Sequence, residues 1–414
     1  MMEDEIRNKL RSAINNVYYG NCVQGKRCEK MEKVNDERLL EDVTNILTNG
    51  LARIIQHKLW STQWIDKMHI NLIDALKSDA EYLNNPIIMN IVEKYLNQLN
   101  VELKHFWYNF SQELFNLIND TLNGRTDIII NKTQKTFAVR IYEEHVKLNI
   151  NKMLKTNGIS VHVILTDING FFISVPKIID EEEAFPMRLG FAATDEVIYH
   201  RPRMNTAHIW QAILWSFLYP SKIYVTIDSL NVNKSDITVN WRLIALDHPS
   251  LKRQALNLAK ELSIDDLFKF LLTAILCDGG VYNYELSTGY TSHTISLTMN
   301  YDKFPEWEPI LNKLKSAGIN WSKSDSSSTA LRILFSASHA KLLASNIINS
   351  LSNKSKSLLD SLIPLGLQKW INLKQLLNIE FHYKWGQSQI IFNNIGFTIS
   401  VDDDGGVYLF LASR

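Results

Sequence analysis

The segment Leu271 to Val281, LLTAILCDGGV, places a carboxylate, Asp278, at the end of an apolar run with two glycines behind it. A carboxylate in the last turn of a helix faces the negative end of the helix dipole, at a cost of a few tenths to about 1 kcal/mol. A bound divalent cation reverses that sign, because the ion becomes the largest charge in the site. Two readings of Asp278-Gly279-Gly280 therefore stand side by side: a metal ligand, or a C-cap and turn whose glycines relax the backbone. A second cluster, Tyr199-His200-Arg201-Pro202-Arg203, joins bases to a ring. It reads as a phosphate-holding or base-stacking loop, or as a solvated one. Cys22 and Cys28 lack the second ligand pair that a tetrahedral zinc site requires, and with Cys277 they make an odd, small count that argues against a disulfide framework. No GxxxxGK(S/T), GxGxxG, HExxH or GxSxG string occurs, which removes the local signatures of P-loop ATPases, Rossmann enzymes, zincins and serine hydrolases.

Positioning Asp278 is the task of the elements around it. Ser263 is an N-cap with Asp266 three residues on, and Leu267, Phe270, Leu271, Ala274 and Ile275 give the helix its apolar face. Strands are expected near Val281 to Ser287 and His293 to Asn300, then a helix from Pro305 to Ala317 closed by Gly318. Two strands flanking the polar Ser322 to Ser328 turn and a helix from Ser338 to Leu351 follow. The order over 263–352 is αββαββα.

This order, with an acid and a glycine closing the first helix, resembles the LAGLIDADG homing endonucleases. The resemblance covers about 265 to 350. It implies a unit that packs against a second one through the motif helices, paired sheets that form a saddle over double-stranded DNA, and Asp278 as ligand of a catalytic Mg²⁺. It also makes Lys323 a candidate strand lysine near the scissile phosphate, with Arg332 as DNA-binding partner and His200, Arg201 and Arg203 as further DNA contacts. Thr273, Ala274 and Cys277 stand where the family keeps Gly or Ala for close helix approach. Crenarchaeal paralogous-repeat (PaRep-type) proteins, in which a long chain carries one such motif, are similar in outline and imply an archaeal mobile element.

Single-motif members of the family dimerise to bring two acids together, and two-motif members carry both. The region 136–262 reads as a degenerate copy whose leading helix, Thr136 to Leu154, ends in Lys155-Thr156-Asn157-Gly158 where an acid belongs. A one-acid chain is thus expected to be a DNA-associated protein without nuclease activity. The alternative is a Mg²⁺-dependent endonuclease that acts as a homodimer through the motif helix.

The remaining chain frames that unit. Residues 1–125 read as helical, with Leu96, Leu99, Leu103, Phe106, Phe110 and Leu117 forming a stripe that wants Trp64, Ile65, Met68, Leu72, Ile73 and Leu76 as an antiparallel partner. Ile159 to Thr166 and Phe171 to Val175 are expected to pair as a hairpin, and Lys222 to Ile227 with Ile237 to Leu246 as another. Residues 353–414 give two short helices and a β-meander. The fold class is α+β. With 44 bases against 44 acids there is no overall excess for a polyanion, and between 264 and 350 eight acids outnumber seven bases. The amino terminus, MMEDEIRNKL, lacks the apolar core of a secretory signal, and no apolar run reaches the roughly 18 residues of a membrane span. A cytoplasmic protein is expected.

Overall fold

Charge and capping decide where the first helices start. In α2 (Glu37–Gln56) the Asp36 carboxylate accepts from the Arg38 and Leu39 N–H groups, and in α4 (Pro86–Leu122) Asn85 accepts from Ile87 and Ile88 ahead of a proline at the first position. A computed structural model describes residues 2–23, 27–78, 85–285, 291–379, 389–392, 395–401 and 407–411. It is α+β. α1 (Met2–Ala13) leans on α2, and α3 (Gln63–Ser78) runs antiparallel to α4 as the apolar stripes require: Trp64 meets Trp107 edge-on at 5.1 Å, while Lys77 reaches Glu93 at the far end. Between α1 and α2 the chain makes β1 (Val17–Asn21) and β2 (Glu29–Lys33), a hairpin in a region the sequence reads as helical. Asn21 faces Glu29 in that hairpin, which brings the next residues together, and Cys22 is joined to Cys28 in a disulfide.

Eight further strands, β3 (Ile128–Lys132), β4 (Thr136–Tyr142), β5 (Val146–Met153), β6 (Ile159–Leu165), β7 (Phe171–Val175), β8 (Arg203–Thr206), β9 (Ser221–Val232) and β10 (Ile237–Ala245), join β1 and β2 in one sheet. Its order is β2-β1-β3-β4-β5-β6-β9-β10-β8, with β7 also on β9. Two expectations are corrected. The stretch 136–154 is no helix but two strands, because burial alternates along it: Val146, Leu148 and Ile150 point inward while Lys147, Asn149 and Asn151 point out. β6 and β7 do not form a hairpin; they lie end to end along the same edge of β9, pairing with Asn231–Ser229 and Val225–Ser221 respectively. The inward face is covered by helices, so closely by α2 that a Cβ on Gly50 would stand 2.2 Å from Ile150 Cδ1.

The unit from 263 onward forms as expected: α8 (Ile264–Asp278), β11 (Gly279–Glu285), β12 (Thr291–Asn300), α9 (Phe304–Ser316), β13 (Ser322–Asp325), β14 (Ala330–Ser336) and α10 (Ser338–Asn349). Its sheet order is β11-β12-β14-β13, so the first strand lies beside the second, the second beside the fourth, and the third at the edge. The strand expected to precede the polar turn includes part of it, since β13 starts at Ser322.

The same path appears earlier, begun by a helix not anticipated as a motif, α5 (Glu181–Ala193). After it Glu196 bridges Met204 of β8, α6 (Ile209–Leu218) follows, then β9, β10 and α7 (Ala255–Glu261). Taking the Glu196 bridge as first strand, the order is bridge-β8-β10-β9, the 1-2-4-3 adjacency of the later unit. The chain ends in α11 (Asn353–Ser361), α12 (Gln368–Leu377) and a meander of β15 (Gln389–Phe392), β16 (Ile395–Val401) and β17 (Val407–Leu411). Of the region read as a β-meander, residues 380–388, 393–394 and 402–406 lie outside the described residues. Among the described residues no helix is long and apolar enough to cross a membrane.

Candidate functional site

The equivalence of the two units puts α5 against α8. Gly190 makes the contact possible, since a Cβ there would lie 2.0 Å from Thr273 Oγ1 and 2.3 Å from the Phe270 carbonyl. Thr273 in turn donates to the Met187 carbonyl across the pair at 2.8 Å. Aligned on their closing acids, Leu189-Gly190-Phe191-Ala192-Ala193-Thr194-Asp195 matches Leu272-Thr273-Ala274-Ile275-Leu276-Cys277-Asp278, so Gly190 and Thr273 occupy equivalent positions. The first unit therefore has its acid, Asp195, and the expectation of a single-acid chain is corrected. Within the chain, α5 covers one face of α8.

The two helices end side by side, with the Asp195 carboxyl close enough to Asp278 to act on its proton affinity. Loss of hydration first, and Asp195 second, push Asp278 up to about 6 from the ordinary 3.8. Two lysines flank the pair in equivalent ways. Lys252, from the segment before α7, donates to the Thr194 carbonyl at 2.7 Å; Lys369 of α12 donates to the carbonyls of Leu276 at 2.7 Å, Cys277 at 3.0 Å and Ile275 at 3.3 Å. Thr194 and Cys277 each stand one residue before an acid, so each lysine neutralises one helix C-terminus and brings its charge toward both carboxylates. Gln211 of α6 donates to Asp195 and accepts from Thr206, which fixes the Asp195 side chain from below.

Glu196, next to Asp195, is turned the other way. It is buried, and its Oε1 accepts from Trp215 Nε1 at 2.9 Å and Tyr219 OH at 2.6 Å, while Oε2 has no partner. Burial raises it to about 7 despite those two donors.

Two cavities open on the acids. One, of about 570 Å³, reaches Asp278 past Lys252, Arg253, Ile198, Thr298, Asn300 and Lys303. The other, about 420 Å³, reaches Asp195 past His208, Gln211 and Lys369. Asp278 is exposed to solvent at the first, so a cation and a phosphate have access. Among the described residues no group of three His, Cys, Asp or Glu side chains is arranged to hold a metal ion. The protein's donor set is two carboxylates, which suits Mg²⁺: that ion keeps several waters and binds through one or two carboxylates plus substrate phosphate.

The other expected residues fall as follows. Lys323 is not brought to Asp278. It pairs in register with buried Ile333, so it lies on the helix-covered face, its ammonium 3.7 Å from the centre of the Phe304 ring. Arg332 lies on the opposite, open face, in register with Thr298 at the cavity wall and Ser324. His200 and Arg201 belong to the tight connection between the Glu196 bridge and β8, and Arg203 opens β8; Arg203 covers Tyr199 at 5.6 Å and Tyr199 contacts His200 at 4.0 Å. The connection also carries Ile198, which lines the cavity at Asp278. Asp195, Lys252, Lys369 and Gln211 were missed; the signal for Asp195 was the small-residue string Gly190-Phe191-Ala192-Ala193-Thr194 closing on an acid. No protein-family model matches the chain, and no curated protein matches it.

Proposed function

We propose that this chain is a metal-dependent DNA endonuclease that works as a single-chain pseudo-dimer. The observation that carries the reading is the pairing of Asp195 with Asp278 at the adjoining ends of two packed helices. Two carboxyls held this close cannot both ionise cheaply, and a divalent cation relieves the repulsion. When bound between them, Mg²⁺ would supply Lewis-acid activation of a phosphodiester. Asp195 and Asp278 would hold it, Gln211 would keep Asp195 in place, and Lys252 and Lys369 would bring positive charge to the phosphoryl oxygens as negative charge develops there. Arg332, Arg203, Arg201 and His200 would contact the DNA backbone on either side of the acids.

The test is incubation with Mg²⁺ and a DNA library. Discrete double-strand breaks are expected, abolished by Asp195→Asn and by Asp278→Asn in proteins that melt as the parent does. Absence of cleavage in the parent, with duplex binding that neither substitution changes, overturns the reading. That result would favour a DNA-associated protein without nuclease activity. The two lysines support this second reading, since they already offset the charge of the acid pair without an ion.

A further inference from the structure

The ten-stranded sheet continues far beyond the strands that belong to the first unit. Its order acts as a ruler running away from the acid pair: β8, next to Glu196, then β10, β9, β6, β5 and β4. Five inter-strand steps of about 4.8 Å separate β8 from β4, roughly 24 Å in all, or the rise of roughly 7 base pairs at 3.4 Å each.

The open face along this path is polar. In register order it presents Arg203 and Asn205 on β8, Arg242 and Asn240 on β10, Asn231 on β9, His162 on β6, Lys147, Asn149 and Asn151 on β5, and Arg140 on β4. Arg242 is neutralised by Asp228. Arg140 and Lys147 are not: among the described residues neither pairs with a carboxylate. Arg140 is spent on the Cys22–Cys28 sulfurs, with Nη1 2.7 Å from Cys22 Sγ, and Lys147 Nζ sits 5.3 Å from the centre of the Tyr142 ring. Burial and the neighbouring Arg140 both lower the affinity of Lys147 for its proton. Both cations line one concavity of about 730 Å³ on the open face. Arg27 lines it too, as do Glu143, Glu144 and Asp167 from the turns at one end of the strands. Two adjacent cations that form no ion pair, half-buried in a concave polar face, can receive an anion.

We propose that Arg140 and Lys147 anchor the phosphate backbone of duplex DNA that runs out from the acid pair along the extended sheet, giving the protein a longer footprint on the side of its first unit than on the other. The proposal rests on the DNA reading above. The face continues the strands that this reading places on DNA, and Arg140 and Lys147 bring to it two cations that form no ion pair among the described residues.

The experiment measures binding of the full chain, in Ca²⁺, to short and long duplexes, for the parent, for Arg140→Gln/Lys147→Gln, and for the charge-conserving Arg140→Lys/Lys147→Arg. The parent should gain affinity as the duplex is lengthened. The Gln pair should lose about tenfold on the long duplex only, and its salt dependence should be shallower by about 1 to 2 in log–log slope, since each phosphate contact contributes about 0.9. The charge-conserving pair should bind as the parent does, which separates loss of charge from loss of fold. Equal affinity and slope for parent and Gln pair overturn the proposal even if the Asp195 and Asp278 variants show that cleavage is real. Anchor-dependent binding without cleavage upholds it and removes the nuclease. A parent that binds no duplex overturns both.

Discussion

Gly190 and Thr273 face each other at equivalent positions of two helices, with no room between them for a methyl group. The obstruction on the far side includes the Phe270 carbonyl, which is backbone and cannot swing away. Gly190→Ala should therefore cost about 2–3 kcal/mol as overpacking, despite the better helix propensity of alanine. Thermal melting of the purified variant should show a drop of several degrees, and divalent binding should weaken because the acids are pushed apart. A melting temperature at or above that of the parent would mean the helices are not in this contact.

Asp195 and Asp278 make a prediction of opposite sign. A carboxyl whose folded pKa is raised lends the fold most stability when protonated, so the contribution of Asp278 falls as pH climbs from about 4 to about 6 and is fully lost above. Asp278→Asn should hence melt higher than the parent at pH 8 without divalent ions. The parent alone should gain stability from millimolar Mg²⁺ or Mn²⁺, and only above about pH 6. Equal stabilisation of both proteins by the metal would place its site elsewhere.

Why one half of this site was legible and the other was not is a matter of local chemistry. In α8 the cap Ser263 marks the start, the apolar face runs between, the closing Asp278-Gly279-Gly280 marks the end, and two full strands follow at once. In α5 three acids open the helix, Pro186 interrupts its pattern, and the acid arrives after a C-cap, Thr194. The strand after it is a single bridge at Glu196. With no strand signal to mark the unit, the sequence points instead to 136–154, whose β-branched and alternating residues belong to β4 and β5. Lys369 lies more than ninety residues from the carbonyls it caps, so no local pattern announces it.

Glu196 is a buried carboxyl with one oxygen unpartnered, and it should leave its own mark on stability. Its folded pKa of about 7 exceeds the ordinary 4.5, first through burial, so the folded state holds the extra proton between those values. Stability should decline as pH rises from about 4.5 to about 7, by about 3 kcal/mol for this group, and level off above. Denaturant titrations across that window should show the decline in the parent and a flatter profile in Glu196→Gln, whose amide oxygen still accepts from Trp215 and Tyr219. A profile unchanged by the substitution would assign the decline to other groups.

Lys369 and Lys252 each cap one motif end, and their removal should act on the acids as well as on the helices. Lys369→Met keeps the apolar stem but strips three carbonyls at the end of α8 of their charged donor, a loss of about 2 kcal/mol. Both ammonium groups also hold Asp278 lower than burial and Asp195 alone would leave it, Lys252 more strongly than Lys369. Without either cation Asp278 keeps its proton to higher pH. The midpoint at which divalent ions begin to stabilise the protein should rise above about 6 in Lys369→Met, and further in Lys252→Met. Melting curves across pH, with and without Mn²⁺, read the midpoint independently of catalysis. If it stays in place in both variants, the lysines serve the helix ends alone and their charge does not reach the carboxylates.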